Sequence, residues 1–129
     1  NHMEDNLKYI LGDDTFDELL AEDIIRIEPL ELMRGASYHT SYMVLDEAQN
    51  CTIQQIKMFI TRIGENSKVI INGDTDQTDL KRDSGLHICV KKLHDLRGVG
   101  VCELTDDDIQ RHPIIKSVLM RLKDENLYD

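Results

Sequence analysis

The chain has 129 residues, of which 15 are Lys or Arg and 25 are Asp or Glu, so its formal net charge is −10. This length suffices for one domain with a hydrophobic core and excludes two domains of ordinary size. The acidic balance disfavours nucleic acid as a partner, because the surface as a whole repels a phosphate backbone.

The length of the apolar runs and the spacing of the cysteines indicate the cellular compartment of the protein. No apolar run approaches the length of a membrane span, and the three cysteines show no C-x-x-C spacing. A disulfide framework is therefore not predicted. We expect a cytoplasmic protein without membrane contact, since a reducing compartment keeps thiols free.

The N-terminal segment is read as two parts. Asn1-His2-Met3 is interpreted as a cloning remnant. Residues 4–22 predict two short helices, because Gly12 interrupts a helical pattern of apolar residues. Thr15 and Glu18 have the spacing of a capping box at the start of the second helix. This segment carries no recognisable chemistry, so its predicted role is packing.

Four apolar runs predict strands, and they alternate with helical patterns. This alternation predicts an α/β fold with a parallel sheet of about four strands and flanking helices. The predicted strands are residues 24–28, 41–46, 68–72 and 101–104.

Three helices are predicted after the second strand. One covers residues 52–63 and opens with Thr52 and Gln55 in capping-box spacing. Another begins after Ser84, and the last has Pro113 in its first turn. Five apolar side chains of the last helix are expected to point into the core, namely Ile114, Ile115, Val118, Leu119 and Leu122.

Two adjacent carboxylates, Asp46 and Glu47, follow the second predicted strand. In P-loop nucleotide triphosphatases a buried strand delivers the Walker-B Asp, which helps to hold Mg²⁺ on the phosphates. A Glu in the next position can polarise the water that attacks the γ-phosphate. The alternative is a surface Asp-Glu pair that opens a helix, since acidic residues favour a helix N-terminus.

A second polar loop, residues 73–77, follows the third predicted strand. If both strands lie in one parallel sheet, the two loops leave it at the same edge. Gln77 then has the chemistry of a γ-phosphate sensor, as in the Gln that orients the attacking water in GTPases. The alternative for Gln77 is a loop amide bonded to its own backbone, and for Asp74, Asp76 and Asp79 a solvated turn.

Several blocks in order along the chain resemble the PhoH family of predicted ATPases, which are close to the helicase-type P-loop nucleotide triphosphatases. Together they cover most of the sequence. The matching blocks are Pro29-Leu30 with Met33-Arg34-Gly35, Leu45 to Asn50, Lys57-Met58-Phe59 with Thr61 to Gly64, Gly73-Asp74 with Gln77, Asp79-Leu80, Ser84-Gly85-Leu86, and Arg111-His112-Pro113.

The resemblance implies binding and hydrolysis of ATP with Mg²⁺ as the metal. It implies Asp46 as the metal ligand, Glu47 as the catalytic carboxylate and Gln77 as the sensor, with all three at the nucleotide. Arg62 and Arg111 become candidate arginine fingers, which reach across a subunit boundary in ring-forming relatives. The alternative for each arginine is a helix-end or surface ion pair.

The sequence also departs from the family pattern. The family usually has a second Arg after Arg34-Gly35, where this chain has Ala36-Ser37, and this difference weakens the expectation of a nucleic-acid or substrate contact there. Asp76 stands where the family commonly has Thr. No glycine is followed by lysine, so the G-x-x-x-x-G-K-[ST] loop that cradles phosphates is absent from the sequence.

Residues 4–129 are therefore expected to be the C-terminal part of a PhoH-like ATPase domain that lacks the phosphate-binding loop. The upstream half of the same domain is the expected partner, in a protein that can form a homo-oligomeric ring and couple hydrolysis to remodelling of RNA or another nucleic acid. By itself the chain is expected to be inactive, with at most weak binding of Mg-nucleotide.

Two other functions fit the residues. A metal-dependent nuclease could use the carboxylate cluster of Asp46, Glu47, Asp74, Asp76 and Asp79, because such clusters bind Mg²⁺ or Mn²⁺. The second alternative is a non-catalytic interaction domain that docks to a partner. A nuclease has no need of a γ-phosphate sensor, so a role for Gln77 in turnover separates it from the ATPase.

Overall fold

The computed structural model describes residues 2–74, 84–108, 112–123 and 125. The helices are His2–Leu11 (α1), Asp13–Ala21 (α2), Ile53–Ile60 (α3), Gly85–Leu93 (α4) and Pro113–Leu122 (α5), and the strands are Tyr42–Leu45 (β1) and Lys68–Ile71 (β2). Short 3-10 turns lie at Leu30–Met33, Ala48–Asn50 and Asp106–Asp108. None of the helices in these ranges is both long and apolar enough to cross a membrane.

The two strands form a parallel pair, and α3 makes the connection between them. The register places Tyr42 opposite Lys68 and Leu45 opposite Ile71. Side chains alternate along a strand, so each strand presents two residues to each face of the pair. The predicted α/β class is confirmed, with a small parallel sheet.

One face of the pair is covered by α3 and by the 3-10 turn Leu30–Met33. A buried cluster there consists of Met33, Met43 and Phe59, and Leu45, Val69 and Ile71 pack against it. A second cluster lies at the carboxyl end of the strands between α3 and α4, and it consists of Ala48, Ile56, Leu86 and Cys89. The carboxyl end of the sheet thus has its own hydrophobic support.

The other face of the pair is open. The side chains on this face include Tyr42, Val44 and Ile70, which are 74%, 40% and 48% exposed. Parallel sheets are normally buried on both faces, because their crossover helices pack on each side. The described residues therefore cover half of the surface that such a sheet normally buries.

Two of the four predicted strands are wrong. Residues 24–28 and 101–104 are irregular and pair with neither β1 nor β2. Apolar composition alone does not make a strand, because the backbone groups also need a ladder partner. Ile24 and Leu104 accordingly stay exposed, at 65% and 77%.

Helix α5 begins at Pro113 as predicted, but the prediction that its apolar residues point into the core is wrong. The exposed fractions are 58% for Ile114, 39% for Ile115, 43% for Val118, 38% for Leu119 and 41% for Leu122. The periodic pattern correctly indicates an amphipathic helix. It does not indicate what covers the apolar face, and in the described part of this chain nothing buries it.

Candidate functional site

Two loops leave the carboxyl end of the parallel pair side by side. The Asn72 N–H donates to the Leu45 carbonyl at 2.9 Å, and the Ala48 N–H donates to the Asn72 carbonyl at 2.9 Å. The residues that follow both strands therefore meet at one edge, where open α/β sheets bind their ligands. We call this edge the rim and define it as Asp46, Glu47, Gln49, Asn72 and Asp74.

Asp46 is held at the rim by a side chain from the neighbouring strand end. Its Oδ1 accepts a hydrogen bond from Nδ2 of Asn72 at 3.0 Å, and the residue is half-buried. Hydrogen bonds to a charged acceptor are about twice as strong as neutral ones. The bond orients the carboxylate, whose second oxygen is the atom that can coordinate a cation.

Glu47 has an unusual backbone conformation. Its φ and ψ are 53° and 39°, in the left-handed region, where a residue other than glycine costs on the order of 1–3 kcal/mol. The 3-10 turn Ala48–Asn50 follows at once, with the Asn50 N–H donating to the Glu47 carbonyl at 3.0 Å. This turn sends the chain away from the strand and leaves the Glu47 side chain exposed.

Gln49 connects the two loops, and the sequence assigns no role to it. It is 1% exposed. Its Nε2 donates to Oε2 of Glu47 at 2.5 Å, and its Oε1 accepts from the Asp74 N–H at 3.0 Å. One buried amide therefore positions both the Glu47 carboxylate and the backbone that leads into residues 75–77. The signals in the sequence are its place in the matching block Leu45 to Asn50 and an amide two positions after Glu47, and neither indicates this contact.

Gly73 is needed for the approach of the second loop to Gln49. A Cβ atom on Gly73 would lie 2.7 Å from Oε1 of Gln49 and 2.7 Å from Cδ2 of Leu86. Both distances are shorter than van der Waals contact. The loop can therefore reach the Gln49 amide only because this position has no side chain.

The rim rests on two capped helices. Thr52 and Gln55 form the predicted capping box at the start of α3, with distances of 3.1 Å and 2.9 Å. Ser84 caps α4, its hydroxyl accepting from the His87 N–H at 3.2 Å.

Burial between these helices raises the pKa of the Cys89 thiol. Cys89 belongs to the buried cluster with Ala48, Ile56 and Leu86, so its thiol packs in the core.

Arg62 lies at the opposite end of the sheet from the rim of its own chain. Helix α3 runs away from the rim, and its eight residues span about 12 Å. The Arg62 carbonyl accepts from the Tyr38 N–H at 2.9 Å, ahead of β1. Nη2 donates to the Thr61 hydroxyl at 3.2 Å, and the buried Nε has no hydrogen-bond partner among the described residues. A finger role for Arg62 stays a prediction and would have to be exerted on a neighbouring copy.

Four other candidate residues lie outside the described residues. They are Asp76, Gln77, Asp79 and Arg111. Their predicted roles as sensor, carboxylate ligands and arginine finger stay predictions.

An open groove of about 730 Å³ lies beside β1, between that strand and residues 23–28. The Tyr38 hydroxyl donates to Oε2 of Glu28 at 2.5 Å in this groove. This hydrogen bond, together with burial, raises the pKa of Tyr38. The groove is formed by residues at and before β1 and by Phe59, and it includes none of the rim residues.

The rim carboxylates do not make a metal site by themselves. No group of three or more His, Cys, Asp and Glu side chains in the described ranges is arranged to hold a metal ion. Magnesium in nucleotide enzymes is typically held by one or two carboxylates together with substrate phosphates. The carboxylate of Asp46 suits a cation shared with a nucleotide, and the predicted nuclease cluster stays a prediction because Asp76 and Asp79 lie outside the described residues.

Comparisons with known proteins agree on one family. The family model of PhoH-like proteins matches residues 1–123. A PhoH-like protein of Bacillus subtilis is 40% identical over 126 residues, which cover 96% of this chain and 40% of that protein. A PhoH-like protein of Synechocystis is 37% identical over 91% of this chain and 36% of its own length. Protein PhoH of Escherichia coli K12 is 39% identical over 97 residues, or 74% of this chain and 27% of its own length.

Proposed function

The chain belongs to the PhoH family, and on that premise we propose that it supplies the magnesium-binding and water-activating part of an ATP-hydrolysing site. The observation that carries the proposal is the rim. Asp46 and Glu47 stand at the carboxyl end of β1, where Asn72 from the end of β2 holds Asp46 and Gln49 from the turn after β1 holds Glu47. A carboxylate pair fixed in this way is suited to a cation and a water molecule at the phosphates.

Each rim residue has a distinct task in this proposal. Asp46 is the ligand for Mg²⁺, and Glu47 accepts a hydrogen bond from the attacking water and orients it. When bound, the metal ion neutralises charge that develops on the phosphate oxygens. Gln77 reports the presence of the γ-phosphate from the loop that Gln49 ties to Glu47. Gln49 and Asn72 are positioning residues.

The remaining parts of the site come from elsewhere. This chain spans about 40% of the length of its Bacillus relative, and its sequence contains no phosphate-cradling loop. We assign that loop to the upstream part of such a protein. The open face with Tyr42, Val44 and Ile70 supports this division, since an apolar sheet face needs a covering layer.

The division of the site between this chain and an upstream part also indicates the binding partners of the chain. The upstream half of the domain is the first partner, and a homo-oligomeric ring would let Arg62 or Arg111 reach the nucleotide of a neighbouring copy. The hydrolysis would be coupled to remodelling of RNA or another nucleic acid. With a net charge of −10 on this chain, the basic contacts to a phosphate backbone would have to come from the other parts of the protein.

A fusion tests the proposal. The 126-residue segment of the Bacillus relative is replaced by this chain, and Mg-dependent release of phosphate from ATP is measured. We expect hydrolysis by the fusion, and none by this chain or by the upstream part alone. Asp46→Asn in the fusion should lower the rate at least about a hundredfold.

Asp95→Asn is the matched control, because Asp95 is exposed and lies in the turn after α4. It should leave the rate unchanged. A folded fusion with unimpaired hydrolysis after Asp46→Asn would refute the assignment, as would sustained hydrolysis by this chain without the upstream half.

A further inference from the structure

Helix α5 is a basic amphipathic helix with an exposed apolar stripe. Five stripe residues, Ile114, Ile115, Val118, Leu119 and Leu122, are between 38% and 58% exposed. Residues 112–123 contain three cations and no carboxylate, so their formal net charge is +3. Lys116, Arg121 and Lys123 flank the stripe at helical spacing, and the acidic residues Asp124 and Glu125 follow only after the helix.

The hairpin of α1 and α2 has the opposite charge. Residues 2–23 contain eight carboxylates and one lysine, a formal net charge of −7. The two helices pack on each other around Phe16, which is fully buried. Tyr9 and Ile10 remain outside this packing and are 91% and 74% exposed. The hairpin therefore offers apolar surface surrounded by negative charge.

We propose that α5 of one copy of the chain docks on the α1–α2 hairpin of a second copy. Each surface has the apolar area and the charge that the other lacks, and complementary potentials select the partner and its register. The two surfaces are present in equal number, and no described residue of the same chain covers either of them. Because they differ from each other, the contact is heterologous and can propagate into a ring.

A further apolar surface of the chain has the wrong charge to bind α5. The groove between α3 and α4 is lined by Ile53, Ile60 and Leu93, and it carries Lys57 and Lys92. A basic helix in this groove would bring like charges together, which is unfavourable. The acidic hairpin is therefore the better complement for α5.

This contact does not involve the rim. It bears on the ring named under the proposed function but needs neither nucleotide nor metal, so its failure would leave the roles assigned to the rim residues intact, and failure of those roles would leave the contact intact. The experiment is accordingly done on the chain without ATP or Mg²⁺.

Sedimentation velocity over a roughly hundredfold range of concentration measures the association, since the dimeric fraction follows mass action. The mass should rise from 14.9 kDa to at least that of a dimer. Lys116→Glu/Arg121→Glu should weaken association at least about tenfold. Lys91→Glu/Arg97→Glu, which changes the net charge equally at two exposed positions outside α5, should have much less effect.

Complementation separates this contact from other modes of association. Asp17→Lys/Glu22→Lys reverses charge at two exposed positions of the hairpin segment and should also give a monomer. An equimolar mixture with Lys116→Glu/Arg121→Glu should form a pair, because one intact helix then meets one intact hairpin. Circular dichroism verifies that each variant is folded.

Three outcomes would overturn the proposal. One is a wild-type chain that stays at 14.9 kDa over the whole concentration range. Another is equal weakening by the α5 variant and by its charge-matched control. The third is a lower melting temperature of the α5 variant without a change in mass, which would mean that α5 docks within its own chain.

Discussion

Gln49 is the rim residue whose side chain is buried and hydrogen-bonded to both loops. Its side-chain amide is buried, donates to Glu47 and accepts from the Asp74 backbone. A buried polar group is tolerated when its hydrogen bonds are made, and it is costly when one partner is removed. The amide therefore contributes to stability and to the orientation of Glu47 through the same two bonds.

Replacing this amide should cost stability. Gln49→Leu keeps a side chain of similar size but removes both hydrogen bonds, and it leaves the Asp74 N–H and the Glu47 carboxylate without this partner. We expect the free energy of unfolding to fall by about 1–3 kcal/mol. Urea denaturation followed by circular dichroism measures the change.

Gln54→Leu is the control, since Gln54 is exposed on α3. A substitution at such a position usually changes the free energy of unfolding by less than about 0.5 kcal/mol. Equal effects of the two substitutions would mean that the hydrogen bonds of Gln49 do not stabilise the fold.

The carboxylates of the rim could be predicted from the sequence, but the hydrogen bonds that orient them could not. Asp46 and Glu47 stand out because an apolar run ends in two charges. The contribution of Gln49 depends on the left-handed backbone of Glu47 and on the missing side chain at Gly73. The backbone conformation of Glu47 does not follow from a periodic pattern, and the close approach of Gly73 to Gln49 depends on how the two loops lie against each other.

At the level of the helices, the sequence predicts a capping box at two positions, and only one of the two forms. Thr52 caps α3 as predicted. The prediction for Thr15 is wrong, because α2 begins at Asp13, after Gly12, and Thr15 lies inside it. Asp13 and Asp14 in the first turn already complement the helix dipole, so the helix can start without a side-chain cap.

The two threonines form a matched pair for mutagenesis. Thr52→Ala removes a cap and should lower the free energy of unfolding by about 1 kcal/mol. Thr15→Ala should change it by less than about 0.5 kcal/mol, because an exposed alanine suits the interior of a helix. Thermal and urea denaturation of both variants measure the difference. An effect of Thr15→Ala as large as that of Thr52→Ala would contradict a start of α2 at Asp13.

The strands show what an element-level pattern can and cannot predict. Residues 41–46 and 68–72 each combine an apolar run with a polar loop, and they pair in the predicted parallel sense. Residues 24–28 and 101–104 have comparable runs but no ladder partner in the described part of the chain. A strand is a property of two segments, so a pattern in one of them is not sufficient.

At the scale of the whole molecule, the described residues form a small parallel sheet that is covered on one face, with the rim at its carboxyl edge. The rim is supported by α3 and α4 on one face, while the other face remains exposed. Its PhoH-like relatives are longer, and this chain spans about 40% of the Bacillus protein. An upstream layer that covers the open face would at the same time bring a phosphate-binding loop toward Asp46 and Glu47.

The most direct test of this assignment is the single-turnover hydrolysis of ATP by the Glu47→Gln variant of the Bacillus fusion. An amide can still bind beside the nucleotide, but it cannot act as the carboxylate that orients and polarises water. We expect Mg-dependent ATP binding within about threefold of the unmodified fusion and hydrolysis slowed about 10²–10⁴-fold. Glu103→Gln, at an exposed position, should hydrolyse ATP normally. Unimpaired hydrolysis by the folded Glu47→Gln fusion would contradict the assignment of the rim as the water-activating half of the site.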